Sequence, residues 1–193
     1  MSGRAFHDWR KAAELGQTID AVRTSIVTSL STTDPRAAVA RLWQMVDADA
    51  KIMERVDDSS GVVSTALMMA IPDLGIAITK AGVDDFEALA EHVHDSFLGN
   101  RYGILDRLVT TLAEPLGLNG RADLKRRFAA TLANLPPAEC DGKRDYDVSS
   151  KRAACTEGMM AIADAADDVD GYLAAAEQHP YMRAHVDEAA KRC

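Results

Sequence analysis

Apolar residues recur at three- and four-residue intervals along most of the chain, which predicts a succession of amphipathic helices. Phe6, Trp9, Ala12, Leu15, Ile19, Val22, Ile26 and Leu30 keep one phase across Gly16. We read residues 3–31 as one helix in which that glycine costs about 1 kcal/mol, with a hairpin broken near Gly16 as the alternative. Thr33-Asp34-Pro35 restarts the chain, with a capping residue followed by proline at the first helical position. The next stripe is Val39, Leu42, Trp43, Val46, Ile52 or Met53, and Val56, and it runs to a corner at Glu54-Arg55-Val56-Asp57-Asp58-Ser59-Ser60-Gly61. Beyond the corner, Val63, Ala66, Leu67 and Ala70 open a helix that should kink or break at Pro72 and end at Gly82.

Asp84 with Glu87 fits a capping box for a helix burying Phe86, Leu89, Ala90, Val93 and Phe97. Helices are then expected at 102–116 and 121–135 around a turn at 117–120. An exposed, proline- and charge-rich loop follows at 136–147. Three further helices are expected at 148–166, from 168 with Val169, Tyr172, Leu173 and Ala176 inward, and from 178 to the end. No segment alternates like a strand. The expected fold is all-α: antiparallel helical hairpins forming an irregular α-solenoid or multi-helix bundle. The expected organisation is a single domain over 1–193, or two lobes, 1–135 and 148–193, joined by the 136–147 loop.

The corner has a structural and a chemical reading. Carboxylates are unfavourable beside a helix C-terminus and favourable beside an N-terminus, so Asp57 and Asp58 should serve the helix that follows. Ser59 or Ser60 is the expected N-cap. An EF-hand counted from Asp57 needs glutamate at its twelfth position, where Met68 stands, so that kind of calcium site is excluded. The chemical reading is a carboxylate site assembled in space from Asp57 or Asp58 with Glu54, Arg55 or Asp106.

Composition narrows the choice. The 193 residues carry a net charge of −8, which argues against a general nucleic-acid binder. The charge is uneven, however. Residues 119–155 hold Arg121, Lys125, Arg126, Arg127, Lys143, Arg144, Lys151 and Arg152 against five acids, a basic segment able to meet an acidic partner or a phosphate backbone. No long uncharged apolar run suggests a membrane span, and no signal-peptide core opens the chain. Cys140, Cys155 and Cys193 are odd in number and widely spaced, as expected of reduced thiols in a cytoplasmic protein. Cys140 falls on the loop and Cys155 in the core pattern. His92 and His94 point about 200° apart on a helix, so they cannot share a metal, and both are expected to face solvent. His179, His185 and Cys193 lack zinc-signature spacing. No phosphate-binding glycine loop and no nucleophile elbow occur. No cofactor and no metal are expected.

The words Glu54-Arg55-Val56-Asp57-Asp58-Ser59-Ser60-Gly61-Val62-Val63 and Asp34-Pro35-Arg36-Ala37-Ala38, with Tyr102-Gly103 and Asp106, resemble an all-helical bacterial family of unknown function. A similar corner occurs in the helical part of bacterial SWIM-type zinc-finger proteins. That module's zinc-binding cysteines and histidines are absent here, so the resemblance implies no zinc or DNA chemistry. It covers about residues 5–190, and Asp170-Gly171-Tyr172 resembles the opening of further helical repeats, as in a short member or a fragment. It implies a fold and no activity. Absent catalytic motifs, the expectation is a protein-interaction or scaffold module that binds a protein partner or itself. The carboxylate enzyme and the basic-segment binder are the alternatives.

Overall fold

The computed structural model describes residues 7–136, 139–140 and 143–179, the pairs 139–140 and 143–144 by backbone only. These residues are overwhelmingly helical, and the fold is all-α. The chain divides into two compact units, Met1–Asp84 with Gly99–Thr111 and Asp85–Leu98 with Leu112–Cys193.

The first unit begins with α1 (Trp9–Ser25), capped by the Asp8 carboxylate, which accepts from the N–H groups of Arg10 and Lys11. The helical path continues through a π-helical turn, Ile26–Leu30, into the short α2 (Ser31–Thr33), so it is unbroken at Gly16 as the unchanged phase predicts. Its buried face follows the expected stripe in part: Ala12 and Ile26 are buried, with Gly16 beside them, whereas Trp9 is 53% and Val22 49% exposed. At Gly16 a Cβ would stand 2.6 Å from Val62 Cγ1 and 3.0 Å from the Val62 carbonyl carbon. Only glycine leaves room there for Val62, the first residue of the helix that follows the corner.

Asp34 caps α3 (Pro35–Val46) by accepting from the Ala37 N–H, with Pro35 at the start. The run expected to reach the corner is interrupted: the chain turns at Asp47–Ala48 and re-forms as α4 (Asp49–Met53). The central element is α5 (Val62–Ala81), packed on α1 and α3 through Val63, Ala66, Leu67, Ala70, Ile71, Leu74, Ala77 and Ile78. Pro72 does not break it. The ring lies on the exposed side, where the carbonyl it deprives of a partner can be hydrated. Gly82, with φ 75°, closes the helix as expected. The helix expected from residue 102 starts only at Leu108. The preceding loop turns at Gly103 (φ 74°) and is closed by Asn100, which donates to Asp106 at 2.7 Å and accepts from the Leu105 N–H at 3.1 Å.

In the second unit Asp85, rather than Asp84, caps α6 (Phe86–Leu98), accepting from the Ala88 N–H at 2.9 Å. Asp84, in the first unit, pairs with Arg36 at 2.7 Å instead. The helical stretch α7 (Leu108–Asn134), which belongs to this unit from Leu112 on, is two helices joined at Gly117 (φ 62°), so the expected four-residue turn contracts to one left-handed glycine. Helix α8 (Tyr146–Asp164) is capped by Asp145, and α9 (Val169–Glu177) by Asp168. The short pair β1 (Glu139–Cys140) and β2 (Lys143–Arg144) lies in the stretch expected to be loop. Gly158 lets α8 close on α7, since a Cβ there would stand 2.5 Å from the Phe128 ring. On α9 the buried residues are the small Ala175 and Ala176, while Val169, Tyr172 and Leu173 face outward, against expectation. His94 also departs from its expected exposure. Its ring is 5.1 Å from that of Phe128 and bonds Thr131 Oγ1 at 3.0 Å and Asp95 at 2.8 Å. Neither unit boundary falls at 136–147, because residues on both sides of that segment share one core. Arg152 donates to the carbonyls of Leu135 and Pro136, at 2.9 and 2.7 Å. The helix expected from residue 178, with His185 and Cys193, lies outside the described residues beyond His179.

Candidate functional site

The corner is built as a fastening. His7 forms a parallel bridge with Val56: its N–H donates to the Arg55 carbonyl at 2.8 Å and its carbonyl accepts from the Asp57 N–H at 2.9 Å. Asp57 accepts from the Ser59 N–H at 3.2 Å. Gly61, with φ 71°, then swings the chain into α5. That left-handed turn sets Asp58 over the first helical turn, where its two oxygens accept from the Val63 and Ser64 N–H groups, each at 2.9 Å. A carboxylate there satisfies two otherwise unpaired donors and sits at the positive end of the helix. Asp58 is therefore the cap expected of Ser59 or Ser60. Asp57 stays within its own turn, and Glu54 pairs with Arg101 at 3.5 Å.

The corner carboxylates are thus engaged locally. Asp58 is occupied by amides, and Asp106 is bonded within the 99–107 loop. A groove of about 380 Å³ opens beside the corner, lined by Gly16, Gln17, Asp20, Ser60, Gly61, Val62, Thr65, Ala66 and Met69. Of the corner residues, only Ser60 and Gly61 reach it. Among the described residues no group of three or more His, Cys, Asp or Glu is placed to hold a metal ion.

The basic segment is likewise committed locally. Arg121 donates to the Ala165 carbonyl at 2.7 Å and to the Gly117 carbonyl at 3.3 Å. Lys125 pairs with Asp168 at 3.6 Å and Lys151 with Asp147 at 3.1 Å. Arg126 and Arg127 converge on the buried carboxylate of Asp123, and Arg127 also reaches Glu91 at 3.3 Å. Arg152 holds the end of α7 through the two carbonyls described above. The side chains of Lys143 and Arg144 lie outside the described structure. The described cations of the segment thus all have partners, some within one helix, as Arg126 and Lys151, and some on a neighbouring element, as Arg121, Lys125 and Arg152.

Three further buried titratable groups have shifted pKa values. Asp49 is only 5% exposed. One of its oxygens accepts from the Ala50 N–H and the other has no hydrogen-bond partner. Burial raises its pKa, with Asp47 adding to the effect and the Ala50 bond opposing it. Cys155 is a buried free thiol, as its place in the core pattern implies, and burial pushes its pKa up to about 11. Burial also lowers the pKa of His179.

The feature missed in the sequence is the outer face of α5. Thr65, Met68, Met69, Pro72, Ile76, Thr79 and Lys80 are all exposed, with Met68 at 43%, Met69 at 46% and Ile76 at 54%. At 100° per residue they form a stripe about 120° wide, opposite the buried face. Among the described helices, α5 alone is long and apolar enough to cross a membrane by length and composition, with a mean hydropathy of 1.7. It packs on α1 and α3, and Asp73 near its middle is tied to Arg23, as in the core helix of a folded unit. The signal was present: a helix whose stripe already accounts for its core, yet whose opposite face carries almost no charge.

Fold and site thus define an all-helical protein whose most prominent polar motif is a helix cap. More specifically, the family model described as "Family of unknown function (DUF6880)" matches residues 1–193, and the chain belongs to that family. No curated protein and no solved structure matches it.

Proposed function

We propose that this chain is a protein-interaction module of helical hairpins, arranged as an irregular solenoid or bundle and acting in the cytoplasm. The observation that carries the reading is the outer face of α5, where Met68, Met69, Pro72 and Ile76 stand exposed along a helix packed on its opposite side. An apolar stripe left in water marks a contact surface, and methionines, unbranched and polarisable, adapt to more than one partner shape. The groove beside Gly16 extends that stripe at the corner end. Neither alternative gains comparable support. The corner carboxylates are engaged with their own backbone, and the described cations of the basic segment are engaged with acids and carbonyls. The test is sedimentation of the protein alone, together with affinity capture by the wild type and by a Met69→Glu/Ile76→Glu variant. The expected result is an association, with itself or with another protein, that the variant loses. Absence of any association sensitive to this face defeats the proposal.

A further inference from the structure

We infer that the outer face of α5 pairs with the same face of a second copy, the two helices running antiparallel about a two-fold axis near Pro72. This rests on the interaction reading above and names its partner. An isologous contact requires one patch whose halves complement each other, and the two ends of this stripe do. The corner end carries the groove and Asp20, whose side chain is 52% exposed; Arg23 bridges Asp20, at 2.7 Å, and Asp73, so two carboxylates share one guanidinium and the cluster keeps a negative charge. The other end carries Ile76, the most exposed apolar residue of the stripe at 54%, and then Lys80, its one charged residue.

Antiparallel pairing about Pro72 sets Ile76 opposite Met68, next to the groove. It sets Lys80 at the level of Ser64 and Thr65, where the groove presents Asp20. Parallel pairing would instead oppose Lys80 to Lys80 and Asp20 to Asp20, so charge selects the antiparallel sense. Asp73 would lie near the axis in both copies. Arg23, shared with Asp20, is bound to it, and the Arg23 and Asp73 side chains are largely shielded, which reduces the repulsion of two carboxylates at that point. From Thr65 to Lys80 the stripe is about 22 Å long at 1.5 Å per residue, a continuous seam of four helical turns.

Sedimentation velocity of the full chain across a dilution series should show a monomer–dimer equilibrium. Ile76→Glu should weaken it roughly thirtyfold or more, as for a central anchor. Lys80→Glu and Asp20→Lys should each weaken it, and the double variant should recover much of the loss. Cross-linking tests the geometry with different substitutions. In a background with Cys140 and Cys193 changed to serine, Pro72→Cys should form an intermolecular disulfide under mild oxidation. Lys80→Cys should not, because two copies of position 80 would lie about 24 Å apart at 1.5 Å per residue. A chain that stays monomeric at every concentration overturns the dimer. If it is monomeric yet captures another protein in a manner lost with Ile76→Glu, the dimer fails and the interaction reading stands. Cross-linking through position 80 in place of 72 overturns the antiparallel arrangement.

Discussion

The basic segment of the second unit and the outer face of α5 in the first make opposite use of their side chains. Arg121, Lys125, Arg126, Arg127, Lys151 and Arg152 are conspicuous by charge, and each is held by an acid or a carbonyl of its own unit. Met68, Met69 and Ile76 are unremarkable as residue types, and each keeps about half of its surface in water. A charged cluster announces a binding surface only where its donors are free. An apolar stripe announces one when the helix has already filled its core with the other face.

The sharpest way to break this contrast is at Asp123. It is buried and accepts from two arginines, so Asp123→Ala removes two charge-assisted bonds at once and should cost about 1.5–3 kcal/mol. A melting temperature near wild type would show that the arginines are a solvated surface after all. Removing Arg152 should cost about 1–3 kcal/mol, because two carbonyls at the end of α7 lose their donor. If Arg152→Ala and Arg121→Ala leave stability flat but alter retention on a polyanion column, the segment is a binding surface.

At the corner, Asp58→Ala should cost about 0.5–2 kcal/mol, as for loss of an N-cap, while Ser59→Ala and Ser60→Ala stay near wild type. Thermal melts showing the serines as the sensitive positions would remove Asp58 from that role. A smaller effect is expected at Asp49. Its folded-state pKa lies above the unfolded value, so the native state holds more protons in that window and stability falls as pH rises through it. Asp49→Asn should therefore gain on the wild type as pH is raised from below about 4 toward neutrality, where a carboxylate of ordinary pKa ionises. Urea titrations at several pH values read this directly, and a gap independent of pH would contradict it. The smallest effect belongs to the α5 stripe: Ile76→Ser should change monomer stability by no more than about 0.5 kcal/mol, since the side chain is mostly in water. A loss of 2 kcal/mol or more on unfolding would mean that this face is already covered.

Much of the fold was legible in the sequence. The helical period marked most of the helices, and Asp34-Pro35, Gly82 and Asp168 sit at the starts and stops their chemistry implies. These signals are local, set by the hydrogen-bonding needs of a helix end and by spacing along one strand of chain. Which carboxylate caps a helix was already beyond that reach. Asp58 and Asp85 take roles expected of Ser59 or Ser60 and Asp84, because a turn of backbone decides which side chain lies over the axis. The need for glycine at position 16 was also set from outside, by the approach of Val62. The division into units followed contacts between distant segments, such as Gly158 on Phe128, rather than the proline-rich stretch. The sequence alone determined that this chain is helical and where most helices begin and end, because caps and periodicity act over a few residues. Only the tertiary structure decided which charges are neutralised and which apolar face stays in water, because both depend on what packs against a helix from elsewhere in the chain.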